Sequence, residues 1–541
     1  MRTGWRIAVI WACLAARLAF YAAMLPLWEG YDEWAHFAVI RTLAERGGFL
    51  VARQSAIPRD VEASLELAPV PWEMRHLPPP AVTQDVYWSL PREERAQREA
   101  SFRTMPAAWS SQDGAGALTA YEALQPPLYY WMMAPVLRLL KGAGLPVQVM
   151  AIRWLSALLA SLTIPLVYAI ARAVFTDVRM ALGCAALVAV MPGFALDVAR
   201  VGNDCLAVVL FTVLTWLGLR AIRDGLTYST AACMGLALGL GLLTKAYFLT
   251  ALPPLLLLFA YDFRQARRPP AAVFRGALIV ASASVLMAGW WYARNLLTTG
   301  TISGLSEAVM LRDRGLVAMI PRAASIHWGK AVDSILFSHL YFGGWSSLTA
   351  RSWMYHVFYA VAAVAAIGLV RLRRRPAVVG LACVYAAFWI GQLYNVLLIY
   401  LSKGVGTSMG WYLYAAVGAE VALCTAGLCA VLPVRARRWT PAAGVFLFAW
   451  FDLYTIHGLA IPYYTGLIRH KANGATAGLH WADLRAVGWD GAFERLAAFK
   501  GPAISEPMLI ALWLLYLLAT LAVIVAARAG PPQPQESRRS S

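Results

Sequence analysis

Near the start of the chain, the motif "YDEWAHF" sets two adjacent carboxylates, Asp32 and Glu33, three residues ahead of His36. A carboxylate beside a histidine at the edge of an apolar run has the makings of a general base. A helix over residues 31–46 places Asp32 and His36 four apart on one face and turns Glu33 about 100° away, toward Phe37. Asp32 then falls in the first turn, where the helix dipole favours its ionised form. Isolated polar groups at the ends of other apolar runs supply a complementary set: Arg153, Arg200, Asn203, Asp204, Lys245, Arg294 and Lys403. Arg153, Lys245 and Arg294 stand where a lipid phosphate would lie, since guanidinium grips phosphate bidentately and ammonium acts as a point charge. One base with several cations fits a displacement in which a hydroxyl attacks an activated sugar and a lipid phosphate leaves. A departing phosphate carries its own charge stabilisation, so no second carboxylic acid is required, unlike in two-carboxylate glycoside hydrolysis.

The elements that position these residues are membrane helices. The 541 residues are 60% hydrophobic, and apolar runs recur along the chain. Spans of about 20 residues are expected at 5–27, 149–171, 180–199, 204–221, 228–246, 247–263, 275–296, 353–370, 377–400, 411–433, 440–462 and 507–528. The segment 126–141, "PPLYYWMMAPVLRLLK", is short, holds Pro135 and ends in basic residues. If it crosses, the arginine clusters at 264–268, 371–375 and 435–438 all face outward. If it is interfacial or re-entrant, every cluster faces inward with both termini, as the positive-inside bias requires. The second arrangement is adopted: an all-α polytopic protein of about twelve spans, with outer segments 28–148, 297–352 and 463–506. The first of these contains a charged helical stretch, "PREERAQREASFR", and the tail 530–541 reads as disordered. The basic N-terminus resembles a signal peptide, but its apolar stretch continues to Leu27, which favours an uncleaved first span.

These patterns exclude several classes. The net charge of +18 sits in clusters between spans and marks topology rather than nucleic-acid binding. The seven cysteines fall in or beside apolar segments without a CxxC pair, so they read as small buried hydrophobes. No Walker A loop, HExxH or GxSxG motif is present. No cofactor is required by this chemistry. Glu33, His36 and His339 are the candidate ligands should a divalent metal take part. A second reading is a transporter or a flippase for lipid-linked glycans, whose acidic pair gates substrate or protons. Against it stand the absence of internal repeats and of mid-span carboxylates, Asp452 in "AWFDLYTIHG" excepted.

An ordered series of motifs carries a family resemblance: "YDEWAHF" at 31–37, "QPPLYYW" at 125–131, "RWLSALLA" at 153–160, "RVGNDCLAV" at 200–208, "LALGLGLLTKAYFLTALPPLLLL" at 236–258, "GWWYARNLLTTG" at 289–300 and "HLYFGGW" at 339–345. In this the chain resembles the GT-C superfamily of polyprenyl-phosphate-sugar glycosyltransferases, within the group of protein O-mannosyltransferases and aminoarabinose transferases. The resemblance covers residues 1–345 well and the rest loosely. It implies a GT-C-like catalytic module over 1–345, including outer loop 28–148, and a C-terminal transmembrane module over 346–541, including outer loop 463–506. It also implies a bacterial inner-membrane enzyme whose site faces the periplasm. The donor would be a polyprenyl-phosphate-linked sugar and the acceptor an envelope glycan, lipid or protein. Asp32 corresponds to the family's base, and Glu33 would place the acceptor, a metal or a neighbouring loop. Arg153, Lys245 and Arg294 would meet the donor phosphate, and His36, Asn203 and Asp204 would line the site. Direct attack would invert the anomeric carbon. One departure stands out: where relatives carry Gly-Arg-Tyr-Leu, this chain reads "GWYLY" at 410–414, with Trp411 in the place of the arginine and Lys403 as the nearby substitute.

Overall fold

The computed structural model describes residues 3–48, 56–106, 118–313 and 321–527; the tail at 530–541 lies outside them. Each of the twelve expected spans falls on a helix. Among the described residues, ten helices are long and apolar enough to cross a membrane: Thr3–Met24, Leu145–Val174, Asp204–Asp224, Ala246–Gln265, Pro270–Thr299, Ser352–Val370, Pro376–Lys403, Gly410–Val431, Thr440–Tyr464 and Glu506–Ala527. The pair Val178–Ala189 and Pro192–Val198, bent by 60°, makes an eleventh if counted as one. Proline at the second helix's start explains the break, because it cannot donate the hydrogen bond that would continue the first. The twelfth, Tyr228–Leu242, has 15 residues. At about 1.5 Å per residue it falls short of a membrane's apolar thickness and stops just before Lys245.

The disputed segment 126–141 forms the helix Leu128–Leu139, 12 residues long with Pro135 inside it. That is too short to cross, and the helix packs on Glu33–Arg46, where the Arg138 guanidinium donates to the Ala44 carbonyl at 3.0 Å. The charged stretch is helical over Arg92–Arg103. Among the described residues, β-type pairing is confined to three isolated bridges.

The arginine clusters gather at the ends of helices remote from the acidic motif. Asp204–Asp224 starts beside that motif and ends, about 30 Å away, where Arg267 donates to the carbonyls of Ile222 and Arg223. Arg371 donates to the Ala430 carbonyl and Arg437 to that of Leu432, which joins the later clusters to the same end.

The first helix ends in a capped terminus. The last four carbonyls of a helix lack partners within it. Here Arg153 donates to the carbonyls of Ala22, Leu25 and Pro26, and Lys500 to those of Ala23 and Met24. A guanidinium from the second span and an ammonium from the segment 463–506 thus hold the point where the first helix gives way to the turn leading to Asp32. Farther down, Arg17 pairs with Asp452 at 2.8 Å, and Phe20 packs on Tyr516 with ring centroids 4.8 Å apart. These contacts bind the first helix to Thr440–Tyr464 and Glu506–Ala527.

Candidate active site

Two non-glycine residues in the segment that follows the first helix adopt positive φ, Trp28 at 66° and Asp32 at 55°. Aspartate tolerates this left-handed geometry better than most residues, and such conformations concentrate at functional sites. The helix begins at Glu33 rather than at Tyr31, and Asp32 is its N-cap without a side-chain capping bond. The expectation of Asp32 within the first turn is therefore corrected: its carboxylate is turned away from the helix end. It accepts a 2.6 Å hydrogen bond from the Tyr121 hydroxyl instead. Burial pushes the Asp32 carboxyl above its ordinary range, against the pull of Tyr121 and the charges of Arg200 and Lys245.

Glu33 points into the protein. Its Oε1 accepts from Arg153 Nε at 2.7 Å and from the Val201 N–H at 2.9 Å, and its Oε2 accepts from Arg153 Nη2 at 2.6 Å. With the three carbonyls named above, these bonds use all five guanidinium donors of Arg153. Both side chains have 0% exposure. Arg153 thus has no donor left for a phosphate, which corrects its expected role, and Glu33 holds the loop in place of touching an acceptor.

Arg200 is paired on one side only. Its Nη2 donates to Asp197 at 3.0 Å and to Asp204 at 2.6 Å, while Nε and Nη1 are buried without a partner among the described residues. The guanidinium lies 5.6 Å from the Tyr31 ring centroid. A Cβ on Gly202 would stand 2.0 Å from Nη1, so glycine is required for the arginine to fit. Lys245 bonds to the other oxygen of Asp204 and stands over the rings of Tyr412 and Tyr247 at 5.1 and 5.6 Å. Asn203 donates to the Thr244 carbonyl at 3.0 Å, which ties "RVGND" to the break before Lys245.

The remaining expected residues are distributed as follows. His36 Nδ1 meets the Tyr130 hydroxyl at 2.8 Å and lies 3.8 Å from Glu122, so its ring faces a second acid and not Asp32. Burial, with the charges of Arg200 and Lys245, holds His36 well below its ordinary value, leaving it neutral. Arg294 places its guanidinium over the Trp291 ring at 4.9 Å. Lys403 pairs with Glu307 at 2.6 Å, half exposed, and does not replace the family's arginine. His339 donates or accepts at Glu420 Oε1, 2.8 Å away, and at the Gly410 carbonyl, 3.1 Å away. The metal candidates Glu33, His36 and His339 are therefore held by separate partners. Among the described residues, no group of three His, Cys, Asp or Glu side chains is arranged to hold an ion.

Residues 124–291 match the family model described as dolichyl-phosphate-mannose-protein mannosyltransferase. Over that stretch the chain is similar to this mannosyltransferase family. The matched stretch contains Arg153, Arg200, Asn203, Asp204 and Lys245, whereas Asp32, Glu33 and Trp411 lie outside it. Among solved structures, the chain is similar to ArnT from Cupriavidus metallidurans bound to undecaprenyl phosphate, at 13% identity and a TM-score of 0.48, over 97% of this chain and 76% of that one. It is also similar to the arabinosyltransferase EmbB from Mycobacterium smegmatis, at 14% identity and a TM-score of 0.43, over 97% of this chain and 42% of that one. No curated protein matches the sequence.

Several contacts beside the matched stretch have no counterpart in the motif reading. Trp411 stacks on Tyr31 with centroids 3.7 Å apart and planes at 12°, so an apolar ring fills the arginine's place. Glu29, fully buried, accepts from the Ser346 N–H and hydroxyl at 2.8 Å each and anchors "GGWSS" to the acidic motif. Tyr121 and Glu122 also escaped the sequence reading. Their proximity in the chain to Pro126–Pro127 was the available signal, but nothing local says that this loop folds over Asp32. Asp452, the carboxylate considered for transport, is closed off by Arg17, Tyr21 and Tyr516.

Proposed function

We propose that the protein transfers a sugar from a polyprenyl-phosphate donor to an acceptor hydroxyl at the outer membrane surface of a bacterial cytoplasmic membrane. The observation that carries this reading is the convergence of a buried-edge carboxylate, Asp32, with two cations, Arg200 and Lys245, at one end of the helix bundle. Asp32, when ionised, takes the acceptor's proton. The acceptor oxygen forms its bond to the anomeric carbon as the carbon–oxygen bond to phosphate breaks, and the phosphate leaves with the electron pair. Arg200, through its unpartnered Nε and Nη1, and Lys245 stabilise the charge that develops on the phosphate. Direct attack inverts the anomeric centre.

An apolar groove of about 290 Å³ supplies a place for the donor's lipid. Its walls come from Asp204–Asp224, Ala246–Gln265 and Pro376–Lys403, including Leu214, Gly218, Leu258, Gly380 and Val384. Phe211 lines the groove and packs on Tyr247, over whose ring Lys245 stands. From Phe211 the groove runs toward Arg374 and Pro376, at the arginine-rich end of the helices. The remote arginine clusters support assigning the site to the outer side, by the positive-inside bias.

The test is release of undecaprenyl phosphate from undecaprenyl-phosphate hexoses by the purified full-length protein, with an envelope extract as acceptor. Asp32→Asn is expected to lower the rate by about 10²–10⁴-fold while the protein remains folded in the membrane. Full activity in that variant sinks the assignment.

A further inference from the structure

The loop that covers Asp32 brings a second carboxyl to the site, and its surroundings have a specific chemistry. Glu122 is 8% exposed, and its Oε2 has no hydrogen-bond partner among the described residues. Gln125 stands beside this carboxyl and favours its ionised form, and Gln125 Oε1 lies 3.5 Å from Asn203 Nδ2. Asn203 itself is fully buried. Its amide orientation is set by the Thr244 carbonyl, which only accepts and must therefore face Nδ2. Oδ1 is left without a partner among the described residues. Glu122, Gln125 and Asn203 are thus polar neighbours, and Glu122 and Asn203 each keep a buried acceptor without a hydrogen-bond partner among the described residues. Leaving such atoms buried costs about 1–3 kcal/mol each, so the arrangement is suited to a ligand that bonds to both.

We propose that Glu122, Gln125 and Asn203 form the sugar subsite, in which two hydroxyl groups of the donor's sugar ring are read by the Glu122 carboxyl and the Asn203 carbonyl oxygen. The inference rests on the transferase reading and names the part of the substrate that this side of the site recognises. A hydroxyl is the matching group for two reasons. Asn203 Oδ1 is an acceptor only and calls for a donor. Burial and the neighbouring Asp32 push Glu122 up to about 8, so at neutral pH it is a carboxylic acid that both donates and accepts, as a hydroxyl does. A cationic group would instead be drawn to an ionised acid. The location fits as well: Lys245 and Arg200 act on Glu122 electrostatically, which sets the subsite beside the proposed phosphate contacts, and His36 faces it at 3.8 Å.

The experiment measures binding of the full-length protein in nanodiscs to undecaprenyl phosphate and to the same lipid loaded with mannose, glucose, galactose or arabinose. Wild type is expected to bind at least one sugar-loaded lipid about tenfold more tightly than the bare lipid, the scale of two hydrogen bonds. Glu122→Ala and Asn203→Ala should bring that ratio to near one, and Glu122→Gln, which keeps a donor and an acceptor, should restore most of it. Independently of any variant, peracetylating the preferred sugar should bring its wild-type affinity down to that of the bare lipid. A ratio that survives in both alanine variants, or a wild type that binds the bare lipid and prefers none of the sugars, overturns the subsite. Failure of wild type to bind undecaprenyl phosphate at all overturns the donor assignment, and the subsite with it.

Discussion

Arg153 and Glu33 form a doubly bonded pair from which solvent is excluded on both sides, and every remaining donor of Arg153 ends on the backbone leading to Asp32. The pair is a clamp on the loop that carries the proposed base. Truncating one member strands the other as a buried charge, which costs about 3–5 kcal/mol, whereas removing both together costs less. Arg153→Met is expected to lower the thermal unfolding midpoint in detergent far more than the double variant Arg153→Met/Glu33→Leu does. Equal, additive losses in a double-mutant cycle would show that the pair is not coupled.

The environment of Asp32 sets the acid limb of the reaction. The base works only when ionised, and burial raises its carboxyl. Activity should therefore fall, as pH decreases, through a value above the ordinary aspartate range of about 4. The pH dependence of kcat/KM reports this ionisation in the free enzyme. A limb at or below the ordinary value would argue that another group is the base.

Glu29 makes stability depend on pH in a defined window. Burial pushes its carboxyl up to about 8 in the folded protein, against the bonds from Ser346. The unfolded chain ionises near 4.3 or so, about the ordinary glutamate value. Between these values the unfolded state loses a proton that the folded state keeps, so stability declines as pH rises and levels off above about 8. Glu29→Gln should flatten that decline in unfolding measured from pH 5 to pH 9 or so. An unchanged slope would assign the dependence to other groups.

Filling the apolar groove separates lipid recognition from head-group recognition. Val384→Trp is expected to weaken binding of undecaprenyl phosphate at least tenfold while leaving a short-chain prenyl phosphate nearly unaffected. A uniform loss for both chain lengths would place the tail elsewhere.

The two lysines of the sequence reading should behave differently. Lys403 is half exposed in its pair with Glu307, and pairs of that kind contribute about 0–1 kcal/mol. Lys403→Ala is expected to change donor KM less than twofold. Lys245→Met removes a charge beside the phosphate contacts and should raise donor KM about tenfold or more, the scale of a charged hydrogen bond. Comparable effects from both would mean that the rim binds the phosphate.

Much of the architecture was legible without coordinates, because span length and arginine placement follow from burying about 20 apolar residues in lipid and from keeping charges out of it. All twelve helix positions, the shortness of the helix in 126–141 and the grouping of arginine clusters at one end are of this kind. The motif "YDEWAHF" likewise pointed to the loop that carries the proposed base, although one of its two carboxylates, Glu33, has a structural use in its pair with Arg153.

What the tertiary structure alone decided is which charge neutralises which. From sequence, Arg153 and Arg200 are both single arginines at the ends of spans. Only the fold shows that Arg153 is saturated by Glu33 and by the end of the first helix, while Arg200 keeps two buried donors in a space opened by Gly202. The partners lie 120 residues apart in the first case, and Tyr121 lies 89 from Asp32. Local periodicity carries no information about such pairings, because they depend on how separate helices meet at the membrane surface.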